Sequence, residues 1–327
     1  MNSYSKEVPW IDQECEDVER LIDANLDPAL SHMRDKVRFW RKNGYVVFEQ
    51  VVPHSLIDNF LEEIEYLRQN ILQYTISIEI AGRQTWSKAL RPEEIRGPGV
   101  KFNHLHVSSF HAARLSLVRP VQEFLRAIFV SPATALQSLT FWKGSQQPTH
   151  IDYPYVRMQR RLSHLAASWI PLEDVHPDAG PLAYYPGAHR TDITGFFDWG
   201  GGEITPQPEK TVKNGMQFAS YLDEKLQTAS IQPAVFCPKK GDALIWHGNM
   251  PHRGTPIRNN ELTRKSYVTH YTGVDDYPSR WILPDEQLQS RSISENGGFI
   301  FDFPWSSPNS KLPSWISNLG ALPERKD

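Results

Sequence analysis

Thr149-His150-Ile151-Asp152-Tyr153 and, much later in the chain, Trp246-His247-Gly248-Asn249-Met250-Pro251-His252 are the stretches around which this sequence is organised. Side chains alternate along an extended segment, so a histidine and an aspartate two positions apart face the same side. A histidine from the second stretch then supplies a third donor. Two imidazoles and one carboxylate on one face of a metal leave its other positions open, and this is the donor set of open non-haem Fe(II) centres. The set read here is His150, Asp152 and His252, with His247 as the competitor for the last place.

Composition narrows the classes around that reading. The chain has 327 residues, 39% of them hydrophobic and 22% charged. That is enough for a sizeable core within one domain carrying elaborations. A formal net charge of -3 creates no field that would gather nucleic acid or an anionic membrane surface. The two cysteines, Cys15 and Cys237, lie far apart, and the first residues carry no secretory leader pattern, so the cytoplasm is the expected location. No apolar run approaches the length needed to span a bilayer. Aromatic residues at 11% and 25 prolines favour a loop-rich β architecture over a helical bundle.

Taken in order, residues 1–30 read as an acidic, irregular surface arm. A helix is expected from Ser31 to Lys42, ending at Asn43-Gly44, followed by a strand at Tyr45–Phe48. A second helix opens at Pro53-His54-Ser55, with Ile57, Phe60, Leu61, Ile64 and Leu67 at spacings of three and four. Residues 80–104, with Gly82, Pro92, Gly97, Pro98 and Gly99, read as a long irregular connection. After a helical segment at Pro120–Phe129, strands are expected at Thr134–Trp142, around His150, at Leu165–Leu172, Leu182–Tyr185, Gln232–Phe236, Ala243–Trp246 and Ser266–Thr272. The whole is expected to be a single domain: a support region over 1–130, a β core over 131–275 and an extension over 276–327. Residues 192–230, polar and containing Gly200-Gly201-Gly202, are the candidate lid.

Several of these pieces together resemble the phytanoyl-CoA dioxygenase family of Fe(II)/2-oxoglutarate-dependent oxygenases. The resemblance runs from Phe39-Trp40-Arg41-Lys42-Asn43-Gly44-Tyr45 through His150-Ile151-Asp152, Trp169-Ile170-Pro171-Leu172, Ala179-Gly180-Pro181-Leu182 and Tyr185-Pro186-Gly187-Ala188-His189. It ends at Gly241-Asp242-Ala243-Leu244-Ile245-Trp246-His247-Gly248 with His252 and Arg264. The fold it implies is a double-stranded β-helix, a jelly-roll or cupin-like barrel, mainly β, with helices packed on one side.

The resemblance also implies roles. The cofactors would be Fe(II), 2-oxoglutarate and O2. The family's second histidine stands about eleven residues before an arginine, and His252, twelve before Arg264, fits better than His247. Arg264 would anchor the far carboxylate of 2-oxoglutarate, because a guanidinium matches a carboxylate with two parallel donors. Gln137 and Trp169 resemble positions lining the cosubstrate pocket, and Thr255 would add a hydroxyl, with Gly254 the stricter match. Asp152, in place of the small residue of the related halogenases, favours hydroxylation.

For the substrate, the residues flanking the predicted iron are Lys101, His104, Tyr153, Tyr155 and Arg157, with Arg160 and Arg161 extending the basic run. The expected partner is a small molecule, not a nucleic acid or a membrane, and the sequence gives no oligomeric state. The expected reaction hydroxylates an unactivated C–H bond while 2-oxoglutarate becomes succinate and CO2. Two alternatives stand beside it: desaturation, cyclisation or epimerisation with the same cofactors, and a jelly-roll protein that binds a small molecule without turnover.

Overall fold

A computed structural model of the chain describes residues 8–80, 83–91, 93–96, 99–153, 155–156, 161, 164–190, 215–277 and 293–301. The strands of the larger sheet are β1 (Tyr45–Phe48), β2 (Ser77–Ile80), β3 (Arg83–Trp86), β4 (Val100–Asn103), β5 (Ala133–Phe141), β6 (Ala166–Pro171), β9 (Ala243–His247) and β11 (Ser266–Gly273). They lie in the order β1-β9-β6-β11-β5-β4-β2-β3, all antiparallel. A smaller sheet, β10-β7-β8, joins β7 (Leu182–Tyr184), β8 (Ala234–Phe236) and β10 (His252–Gly254). Near the end, β12 (Ile293–Glu295) pairs with β13 (Gly298–Ile300), which meets β5 in parallel at Phe299 and Thr134.

Alternation sorts the two faces of the larger sheet. Ala243 and Ile245 of β9, Ala166 and Ile170 of β6, and Tyr267 and Tyr271 of β11 pack into the cluster formed by the helices. The intervening Leu244, Trp246, Ala167, Trp169 and Val268 turn the other way and meet Leu182 and Tyr184 of the smaller sheet. Both faces are covered, which explains why these strands are apolar along their whole length. Two sheets face to face with helices behind the larger one make the double-stranded β-helix expected from the sequence.

The helices are α1 (Val18–Asn25), α2 (Arg34–Asn43), α3 (His54–Gln69), α4 (Phe110–Ser116), α5 (Arg119–Phe129) and α6 (Gly215–Thr228). Trp40 of α2, Phe60 of α3 and Phe124 of α5 are fully buried behind the sheet, each contributing on the order of 2 kcal/mol or more. α2 stops where expected, at Gly44, which caps it in the left-handed conformation (φ +72°). A Cβ there would also lie 2.5 Å from Nδ1 of His189.

Four expectations change. Residues 80–104 are not a plain connection: β2 and β3 form a hairpin and β4, buried along its length, ties that hairpin to β5. The N-terminal arm is not wholly irregular, since it contains α1; it packs on the rest, with Ile11 and Ile22 buried and the Trp10 indole donating to the Ile128 carbonyl at 2.8 Å. His150 forms a single bridge with His252 and the chain bends at Asp152, so no strand continues there. Of the candidate lid, residues 192–214 lie outside the described residues, and Gly215–Thr228 is α6, whose Phe218 and Leu222 are buried against Ile151 and Tyr153. Among the described residues no helix is long and apolar enough to cross a membrane.

Candidate metal centre

Backbone pairing brings the two opening stretches together. His150 and His252 each donate an amide to the other's carbonyl, at 3.0 and 2.9 Å. Opposed residues of such a pair project to the same face, and their rings stand 4.2 Å apart. Asp152 is set by the same stretch: its amide donates to the Gly248 carbonyl at 2.9 Å, and its own carbonyl accepts from Tyr155 and Val156. Gly248 has no room for a side chain, since a Cβ would lie 2.6 Å from the side chain of Leu165.

The tautomers follow from the carbonyls. Nδ1 of His150 donates to Pro148 O at 2.8 Å and Nδ1 of His252 to Met250 O at 3.0 Å. Each Nε2 therefore keeps its lone pair, as a ligand must. One donor atom from each of His150, Asp152 and His252 lies within 4.8 Å of the others, a grouping that could hold a metal ion. Nε2 of His252 is 3.6 Å from Oδ1 of Asp152, while Oδ2 accepts from the Trp246 indole at 2.7 Å. With Oδ2 tied back, Asp152 presents Oδ1 to the centre.

The protonation states suit a cation. Burial, together with the neighbouring His252, pulls His150 down to about 3, so the ring is neutral at physiological pH. Burial opposes ionisation of Asp152, but the imidazoles of His252, His270 and His150 outweigh it and hold the carboxyl well below the usual range. A neutral imidazole at His150 and a carboxylate at Asp152 are the forms that take a divalent metal without proton release.

The cavity beside these donors runs to Arg264 and is walled by Phe141, Trp169, Leu182 and Val268. Arg264 is buried, with its guanidinium carbon 5.6 Å from the rings of both Phe141 and Trp169. Nη1 donates to Gly180 O at 3.2 Å, Nε has no partner, and among the described residues no carboxylate pairs with it. Burial alone lowers its pKa, to about 10. A charge in that setting calls for an anion from outside the chain.

His270 was not singled out from the sequence. It lies on β11 and lines the same cavity, with Nε2 3.4 Å from Oδ1 of Asp152. The signal was available, because counting by two from Arg264 along a strand reaches Ser266, Val268 and His270 on one face.

Of the other expected residues, Trp169 lines the cavity. Gln137 stands opposite His270 in the β5–β11 register but is not among the lining residues. The Thr255 hydroxyl donates to Pro181 O at 2.8 Å. Lys101 pairs with Glu79 at 2.8 Å and donates to Gln147, a cavity residue, at 3.1 Å. Tyr155 is exposed, its ring 6.3 Å from that of His150, whereas Tyr153 is buried with Ile151. His104 is half-buried in a left-handed conformation (φ +61°) and pulled down to about 4 by desolvation and by His270. Arg157 and Arg160 lie outside the described residues, and Arg161 pairs with Asp276 at 2.8 Å. His247 points away from the centre: its Nδ1 accepts from Asn249, and its Nε2 donates to Asp12 at 3.1 Å.

A family model described as phytanoyl-CoA dioxygenase matches residues 40–266. Phytanoyl-CoA dioxygenase domain-containing protein 1 of Danio rerio is 23% identical over 183 residues, 53% of this chain and 57% of that protein. Its Caenorhabditis briggsae homolog is 21% identical over 203 residues, 58% of this chain and 65% of that protein. The chain thus spans less than two thirds of the length of these curated relatives. Among solved structures, the non-heme alpha ketoglutarate dependent carbocyclase SnoK from nogalamycin biosynthesis aligns with TM-score 0.51 at 16% identity, covering 80% of this chain and 92% of that one. EctD from S. alaskensis aligns with TM-score 0.51 at 16% identity, covering 83% and 84%. At such identities the likeness establishes the fold.

Proposed function

This chain belongs to the phytanoyl-CoA dioxygenase family, and from that premise we propose that it is an Fe(II)/2-oxoglutarate-dependent dioxygenase acting on a small molecule. The proposed reaction consumes substrate C–H, 2-oxoglutarate and O2 and yields the C–OH product, succinate and CO2. The observation that carries the reading is a buried guanidinium without a carboxylate partner, Arg264, in one cavity with three metal donors. A simple metal site has no use for such a cation.

His150, Asp152 and His252 would hold the iron, which when bound supplies the oxygen chemistry. The chain's own residues orient and enclose. Trp246 fixes the outer oxygen of Asp152, and the carbonyls of Pro148 and Met250 fix the ring orientations. Arg264 would take the distal carboxylate of 2-oxoglutarate in a two-pronged contact, seated between Phe141 and Trp169, which keep water from the charge pair. Lys101, His104, Tyr153 and Tyr155 remain the proposed substrate-side residues, and Gln137, Trp169 and Thr255 the proposed cosubstrate-side ones.

The test is 2-oxoglutarate turnover in the presence of Fe(II) and O2, read as succinate. Succinate that depends on iron and disappears in His252→Ala supports the reading. Binding without succinate at any substrate tried would favour the non-catalytic alternative. A carbocyclase with this fold keeps cyclisation in view as an outcome of the same site, and mass analysis of the product separates it from hydroxylation.

A further inference from the structure

His270 is a buried imidazole whose Nδ1 has no hydrogen-bond partner and whose Nε2 meets Oδ1 of Asp152 only at 3.4 Å, too loosely to satisfy it. Buried polar groups are normally partnered, so an orphaned ring facing a cavity marks a place where something else binds. Its position identifies what that is. Arg264 precedes β11, and on the strand Ser266, Val268 and His270 share one face, so Arg264 and His270 stand at the two ends of the same cavity wall. Nε2 of His270 lies 3.4 Å from Oδ1 of Asp152, the oxygen left for the metal because Trp246 holds Oδ2. An oxygen held on the metal beside Oδ1, on the side facing β11, would lie within reach of the same nitrogen.

We infer that His270 is a second contact for the bound 2-oxo acid, its Nε2–H donating to the oxygen at the metal-chelating end while Arg264 holds the far carboxylate. The inference rests on the cosubstrate reading above and adds a residue to it. With the metal holding the keto-acid end and Arg264 the far carboxylate, this added contact would fix the rotation of the flexible diacid between them.

The experiment titrates the full chain anaerobically with Fe(II) and then with 2-oxoglutarate, following the visible charge-transfer absorption, in wild type, His270→Phe, His270→Ala and His270→Gln. Phenylalanine keeps the volume and removes both nitrogens, alanine removes them without crowding, and glutamine restores a donor. The expected result is Fe(II) affinity within about twofold of wild type, with 2-oxoglutarate affinity weakened about tenfold or more and the absorption maximum displaced in the phenylalanine or alanine variant. Glutamine should recover most of both. Wild-type affinity and an unmoved absorption maximum in whichever donor-free variant folds would overturn the assignment, even if the melting temperature fell. Absence of the absorption in wild type would remove the cosubstrate reading itself, a result distinguishable from the first.

Discussion

His150 and His252 form an isolated antiparallel bridge, each amide bonded to the other's carbonyl, with Nδ1 of both rings tied to backbone carbonyls two residues upstream. The main chain thereby fixes both ring orientations before any metal binds, and the remaining freedom of the site lies in Asp152 and its partners.

Trp246 should tune metal affinity without touching the metal. Trp246→Phe keeps an aromatic ring in the core and removes the donor to Oδ2 of Asp152. Loss of such an outer contact weakens metal binding by roughly 10- to 100-fold. Competitive titration with a chelator checks this, and unchanged affinity would mean that the indole does not orient the carboxylate.

The two histidines of the second stretch should separate cleanly. His252→Ala is expected to abolish specific Fe(II) binding. His247→Ala should keep it and lower stability by about 1 kcal/mol, because the half-buried carboxylate of Asp12 loses its donor. Metal titration beside denaturant unfolding of both variants distinguishes the roles.

Arg264 should act on cosubstrate alone. Arg264→Ala is expected to weaken 2-oxoglutarate binding by on the order of 10- to 100-fold while leaving Fe(II) affinity in place. Arg264→Lys should recover only part, since an ammonium cannot offer the two-pronged contact. Calorimetry of 2-oxoglutarate with metal-loaded protein reads the difference.

Acid should destabilise the metal-free protein early. Burial pulls His150 and His189 down to about 3 and His104 to about 4, from an ordinary value of 6.5. Between those limits the unfolded chain binds more protons than the fold, so the stability held above 6.5 is lost as pH falls. Each ring contributes a slope of at most about 1.4 kcal/mol per pH unit. Thermal melts of apo-protein should drop from about pH 7 to about pH 5, and His189→Gln should flatten the trend. A midpoint indifferent to pH over that range would contradict the buried neutral state.

What was legible in the sequence followed local periodicity and motif order. The core strands carry long apolar runs, and α2 announces its end at Gly44, so both were placed within a residue or two. The grouping of His150, Asp152 and His252 was legible because their residue types are rare in combination, whereas strand alternation does not account for their common side. His150 and Asp152 face one centre through the bend at Asp152 and the Gly248 carbonyl, not through a continuing pleat. Strands β2 to β4 were hidden because four-residue strands among glycines and prolines look like loop, and their identity comes from pairing with β5. Asp12 could not be assigned, since its contact with His247 joins the arm to a strand far away in sequence. His270 was missed for a different reason: a lone histidine in an apolar strand has a plain core reading until the cavity is seen.

The most direct test of the central claim is anaerobic addition of Fe(II) and then 2-oxoglutarate to the apo-protein, with Asp152→Ala in parallel. A visible charge-transfer absorption in wild type that is lost in the folded variant is the predicted result, because it requires the metal, the chelated keto acid and the carboxylate ligand together. A folded wild-type protein that binds neither, or an absorption that persists unchanged without Asp152, would contradict the account.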